Sequence, residues 1–231
     1  MKKIGLLGGM SWESTTAYYR LINEGVKDAL GGLHSAELLL YSVDFAPIEK
    51  LMQKARWEAV AELVVEGAKR VELGGADFLL ICTNTMHICA QKVEAELSIP
   101  LLHIADATAE ALIESGIKKV GLLGTSFTME EDFYKGRLKD RHGLEVLVPE
   151  RGDRTFVNEV IFDELCCGVA CGPSKDGYLR IIDDLAARGA EGIILGCTEI
   201  GMLISQKDTP VPLFDTTVLH AKKAVEMALA T

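Results

Sequence analysis

The sequence has no apolar run approaching the ~20 residues a membrane span needs, no block of clustered Lys and Arg, and no Cys-x-x-Cys pair. Each absence closes off a class of function. Without a span, the chain is expected to keep clear of the membrane. The 24 Lys and Arg stand against 34 Asp and Glu, a formal net charge of −10, so nucleic acid is not expected as a partner, because phosphate neutralisation needs grouped cations. Cys166, Cys167 and Cys171 form CCxxxC, which supplies three ligands and not the paired spacing of structural zinc, so no metal is expected. The six cysteines follow no even framework, so disulfides are not expected and a reducing, cytoplasmic location suits them. The opening MKKIGLLGGM has lysines and an apolar stretch, but that stretch runs within a few residues into Gly-Gly, and it reads as a buried first strand, not a signal peptide. Glycines at GGMS (8–11) and GTSF (124–127) lack the GxGxxG spacing and the P-loop lysine, which leaves a nucleotide cofactor without support.

What the sequence does have is a copy of itself. KKIGLLG at 2–8 matches KKVGLLG at 118–124, GADFLLICTN at 75–84 lies ungapped on GAEGIILGCT at 189–198, and IPLL at 99–102 finds VPLF at 211–214. The offsets, 116, 114 and 112, keep the same order. Each half alternates short apolar runs with segments of helical period, the pattern of parallel strands buried on both faces and joined by helices. The fold class is α/β, with two similar lobes of parallel sheet related by a pseudo-twofold axis and a site in the cleft between them. The expected lobes are 1–105 with 215–231, and 106–214. Strands are expected near 3–8, 37–43, 78–82 and 100–104, then near 119–124, 144–148, 192–196 and 211–214. Ser11 is a helix cap, a helix fills 57–73 and stops at Gly74–Gly75, and Thr216–Leu229 is an amphipathic helix.

Parallel sheets bind ligands beyond the carboxyl ends of their strands. There the sequence places Met10, the run Cys82-Thr83-Asn84-Thr85, then Thr125 and Thr128, and the run Gly196-Cys197-Thr198-Glu199. Cys197 follows the strand IIL and a glycine, where backbone amides and a helix start lower a thiol pKa toward neutrality and make it a base. A buried cysteine filling a core gap is the plainer alternative. The ungapped repeat sets Thr83 opposite Cys197 and Cys82 opposite Gly196. Because side chains alternate along a strand, Cys82 is the partner by element and Thr83 the partner by register; register favours Thr83. Asn84, Thr85, Thr125, Thr128 and Thr198 add neutral donors suited to a carboxylate, although each threonine serves equally well as a helix cap. His87 either orients a neighbouring group or bonds to backbone.

At these residues the sequence resembles the aspartate/glutamate racemase family. The likeness covers nearly the whole chain and is carried by GLLGGMS, by TNTMH at 83–87 in place of CNTAH, and by GCTE at 196–199. Within the family it looks nearest the enterobacterial branch that begins GLLGGMSWEST and has threonine for the first cysteine, a branch of broad or L-Asp/Glu specificity. The resemblance implies a racemase that needs no pyridoxal phosphate or metal. Thr83 and Cys197 serve as the acid/base pair, while Met10, Asn84, Thr85, Thr125, Thr128, Thr198 and Glu199 surround a small amino-acid substrate. It also implies a homodimer. Basic residues typical of aspartate racemases fall at Asp44 and Cys166 here, so homoserine or another neutral polar amino acid competes with aspartate and glutamate. Two alternatives accompany this reading: cysteine chemistry of the maleate isomerase or arylmalonate decarboxylase kind, and a non-catalytic amino-acid-binding protein.

Overall fold

The computed structural model describes residues 1–230. The chain divides into two compact units, one of Met1–Ile104 together with the chain from His220, the other Ala105–Leu219. Both are built from parallel strands and helices. The first contains β1 (Ile4–Gly8), α1 (Trp12–Leu30), β2 (Leu38–Ser42), α2 (Phe45–Gln53), α3 (Trp57–Leu73), β3 (Phe78–Ile81), a 3-10 turn (Thr85–Cys89) and α4 (Ala90–Glu96). Next come α5 (Ile104–Glu114), β4 (Lys119–Gly124), α6 (Ser126–Glu130), α7 (Asp132–His142), β5 (Glu145–Leu147) and α8 (Arg151–Glu159). The chain ends with α9 (Gly172–Ala187), β6 (Gly192–Gly196), α10 (Ile200–Leu203), β7 (Leu213–Asp215) and α11 (Thr216–Leu229). No helix is long and apolar enough to cross a membrane.

In the first unit the strand order is β2-β1-β3, all parallel. One face of the sheet turns Ile4, Leu6, Phe78 and Leu80 onto Tyr18, Ile22 and Val26 of α1 and Ala221, Ala224 and Ala228 of α11. Burying each large apolar side chain contributes about 1.5–3 kcal/mol, which makes this row the main support of the unit. Against the other face, α3 approaches so closely that a Cβ on Gly67 would stand 2.7 Å from Leu7 Cδ1. α3 ends as its sequence dictates: Gly75 takes φ +92°, a left-handed angle open to glycine.

The second unit has the order β5-β4-β6-β7, again parallel. Its fourth strand has no equal in the first unit. The strand expected at 100–104 is reduced to one bridge, Leu79 to Leu101, held by Leu79 N–H to Pro100 O and Leu102 N–H to Leu79 O, both 2.9 Å. Pro100 has no N–H for a ladder and α5 begins at Ile104, so the segment runs out of residues before it can pair further.

Candidate active site

At the end of β1 the chain turns sharply through Gly8 and Gly9. Gly9 sits at φ +92°, and a side chain there would run into the backbone of Val43. Thr15 secures the turn from one turn into α1: its Oγ1 accepts from Gly9 N–H and donates to Ser11 O, both at 2.8 Å. Ser11 caps α1, accepting from Ser14 N–H at 3.2 Å, and Ser14 Oγ in turn donates to Cys82 O at 2.9 Å. The loop after β1 is thereby tied to the loop after β3. Met10, between them, is buried, and its peptide bond to Ser11 is cis.

Strand alternation sorts the next two residues. Phe78, Leu80 and Cys82 form one row inside the core, where burial pushes the Cys82 thiol far above its usual range and leaves it inert. Thr83 falls on the other side and is partly exposed. Its N–H bonds back to Ile81 O at 2.8 Å, and its C=O accepts from His87 Nδ1 at 2.8 Å. His87 Nε2 accepts from Ile104 N–H at 3.3 Å, which fixes the neutral tautomer with the proton on Nδ1. Asn84 and Thr85 are buried beside Thr83.

In the second unit β4 and β6 end side by side, Gly124 level with Gly196. Thr125 caps α6, accepting from Thr128 N–H at 3.4 Å, and the two hydroxyls lie 3.2 Å apart. Thr128 is fully buried, and its methyl group would stand 3.3 Å from a Cβ at either Gly124 or Gly196. Its side chain packs the strand ends.

Cys197 follows β6 directly and is partly buried. Here the structure reverses an expectation. The thiol is not held low by amides and a helix start; its pKa is raised well above the usual value, first by burial, then by the charge of Glu199 and by the hydrogen bond that Sγ donates to Glu199 Oε2 at 3.0 Å. The physical reason is local. α10 has only four residues and its N-cap position is taken by Glu199, so a carboxylate stands where positive helix-end potential was anticipated. Glu199, buried and expected to bind substrate, is the thiol's hydrogen-bond acceptor. Thr198 lies between them, partly exposed. After α8 the chain widens into a π turn (Val160–Glu164) and a 3-10 turn (Leu165–Cys167), which leaves Cys166 exposed.

Sequence reasoning missed the Ser14 and Thr15 braces, the thiol–carboxylate pair as a pair, and the histidine cluster behind Thr83. The first two had a signal: Ser-Thr directly after GGMSWE, and Glu two residues beyond the cysteine. The cluster had none, because His103 and His220 are far from His87 in the chain.

The Asp/Glu/hydantoin racemase family model matches residues 7–224. A broad-specificity amino-acid racemase of Bacillus subtilis (strain 168) is 24% identical over 239 residues, covering 98% of both chains. Among solved structures, a candidate Asp/Glu racemase from Yersinia pestis is 52% identical with a TM-score of 0.95, each chain covered in full. An aspartate racemase homologue from Pyrococcus horikoshii OT3 is 35% identical with a TM-score of 0.87, also over both whole chains. Two parallel-sheet units, polar and thiol side chains at the strand ends and a family match along almost the whole sequence agree: the chain belongs to the Asp/Glu/hydantoin racemase family.

Proposed function

We propose that this racemase inverts a free amino acid at its α-carbon by two proton transfers, with Cys197 and Thr83 as the groups that face the substrate and with no cofactor. The observation that carries the reading is the Cys197 thiol donating to Glu199 at 3.0 Å. Moving that proton onto the carboxylate converts thiol and carboxylate into thiolate and carboxylic acid. The pair holds one negative charge before and after, so burial does not oppose the step as it opposes ionisation of an isolated thiol. A substrate ammonium nearby favours the thiolate, which then removes the α-proton. Thr83, whose hydroxyl is far too weak an acid to rest as an alkoxide, supplies the opposite face directly or through a water it holds. Asn84, Thr85, Thr125 and Thr198 offer neutral donors to the substrate carboxylate as charge builds on it.

The unequal pair makes the two directions unequal. In heavy water, α-hydrogen exchange is expected to differ strongly between L- and D-substrate and to vanish in Cys197→Ala. Equal exchange from both enantiomers, with full activity in Thr83→Ala, would sink the reading. Total absence of deuterium incorporation would instead favour a binding protein.

For the substrate, the two positions at which the family resemblance implies cations carry none. Asp44 caps α2 by accepting from Ala46 N–H at 3.2 Å, and Cys166 is an exposed thiol. Aspartate and glutamate remain in the panel because similar proteins are aspartate-racemase homologues and candidate Asp/Glu racemases. Homoserine joins them, since neutral donors serve its hydroxyl as well as they serve a carboxylate. A thiol that must stay reduced suits the cytoplasm.

A homodimer is supported by α1. Trp12, Thr16, Tyr19, Asn23 and Leu30 form an uncharged second stripe along this helix, with Trp12 65% and Tyr19 52% exposed. Asn23 Oδ1 accepts from Ala36 N–H at 3.0 Å, so the stripe flanks β2, an edge strand that adds Leu40, 44% exposed. Trp12 and Tyr19 would supply the aromatic centre of such an interface, with the rest of the area coming from the helix and β2 around them. For copies that each carry a net charge of −10, an uncharged surface is where like-charge repulsion opposes contact least.

A further inference from the structure

Thr83 is the weakest link in the proposed chemistry, and the structure gives its hydroxyl no help. Among the described residues, no hydrogen bond to Thr83 Oγ1 is formed; its backbone alone is anchored, through N–H to Ile81 O and C=O to His87 Nδ1. The bond to His87 therefore sets the peptide plane and Cα from which the hydroxyl projects.

His87 is itself held with care. It is 2% exposed and lies with His103 and His220 in a cluster of three buried imidazoles. The His103 ring is 4.5 Å from the His87 ring, centroid to centroid, and the His220 ring is 5.9 Å away edge-on. His220 bridges Tyr18 and Leu102: Tyr18 OH donates to Nδ1 and Nε2–H donates to Leu102 O, both at 2.8 Å. Ile104 N–H closes the set by donating to His87 Nε2. These bonds lock each of the two rings in one neutral tautomer. His87 has a donor fixed behind it, Ile104 N–H, and in front of it the carbonyl of Thr83.

We infer that His87 is a positioning residue for the racemisation, acting through the Thr83 carbonyl to aim the threonine hydroxyl, with the Tyr18–His220–His103 cluster as its rigid backing. The inference rests on the reading of Thr83 given above. It separates two events. Removal and return of the α-proton on the Cys197 face, seen as deuterium exchange without inversion, needs only Cys197 and Glu199. Inversion also needs Thr83, and so needs His87.

The test compares His87→Asn with His87→Gln. The asparagine amide nitrogen overlies Nδ1 and reaches the Thr83 carbonyl; that of glutamine overlies Nε2 and misses it. Both are neutral amides of similar burial, and rates are referred to the folded fraction measured by circular dichroism, so a difference between them reports geometry and not folding. With deuterated buffer and whichever amino acid the wild type inverts fastest, His87→Gln is expected to lose about a hundredfold in inversion kcat, the scale of a misplacement of about 1 Å. Its KM and its one-face exchange should stay near wild type, and His87→Asn should regain most of the inversion. Equal inversion in the two variants, or equal loss of inversion and exchange, overturns the inference. Thr83→Ala is measured alongside: if it inverts at the wild-type rate the reading of Thr83 itself has failed, whereas if it loses inversion and His87→Gln does not, only the role of His87 falls.

Discussion

Replacing Glu199 by glutamine separates two roles that one hydrogen bond can serve. The carboxylate accepts from the Cys197 thiol at 3.0 Å and, with burial, raises the thiol pKa. If that were its whole contribution, Glu199 would only restrain the thiol, and Glu199→Gln would release thiolate and speed the reaction. As a proton acceptor, its loss must slow the reaction even while thiolate becomes easier to form. A hydrogen bond to an ionised acceptor is worth about 1.5–3 kcal/mol net, and each 1.36 kcal/mol is tenfold in rate, so kcat should fall between about tenfold and about a hundredfold. The same variant should alkylate faster with iodoacetamide at neutral pH, because the charge and bond that held the thiol protonated are gone. The assay pairs the pH dependence of alkylation with kcat for the fastest amino acid. A rise in kcat that tracks the rise in alkylation would refute the proton-acceptor argument.

His220 is buried and neutral, its pKa lowered to about 3 first by burial and then by His87, against 6.5 in an unfolded chain. Below pH 6.5 the unfolded chain gains a proton that the folded chain refuses, so stability falls as pH drops toward 3, by on the order of 5 kcal/mol in all; thermal melts of His220→Gln should show a flatter slope across that range. Asp106 is held below its usual pKa because two bonds from Arg137, at 2.7 and 2.6 Å, and one with His142 at 3.0 Å outweigh the upward push of burial. Its contribution is present above the ordinary carboxylate pKa and fades as pH falls below it. With the Asp106 side chain 25% exposed, Asp106→Asn should cost about 2 kcal/mol in urea unfolding. Trp12→Glu with Tyr19→Glu should leave a folded monomer by light scattering; a dimer in that variant removes the α1 stripe as the interface.

The alternation of apolar runs with helical segments made the strand order of events readable, because strands buried on both faces show as unbroken runs such as GIILG. Period-two alternation was enough to put Cys82 in the core row with Phe78 and Leu80 and Thr83 outside it. The segment at 100–104 misled because apolar content says that residues are buried and not that they pair; Leu101 makes a single bridge. The state of the Cys197 thiol was illegible for a different reason. Helix-end potential depends on helix length, which is not visible in GCTEIG, and the effect of Glu199 depends on where the turn places its carboxylate. The same holds for the threonines: whether Thr128 faces a ligand or packs on Gly196 is decided by a few ångströms between strands that only the folded chain brings together.

The thiol–carboxylate pair also says where a more even-handed enzyme lies in sequence space. On the register of the repeat, Thr83 answers to Cys197 and Thr85 to Glu199. On the proposed reading the lopsidedness is therefore written at two sites, an acid/base group and the carboxylate that takes its proton. Thr83→Cys alone would install a partly exposed sulfur with no carboxylate two residues on, as in the CNT pattern. Only together with Thr85→Glu would the first unit carry the same thiol–carboxylate pair as the second, so the two substitutions can be weighed one at a time for what each adds to the balance between the two directions.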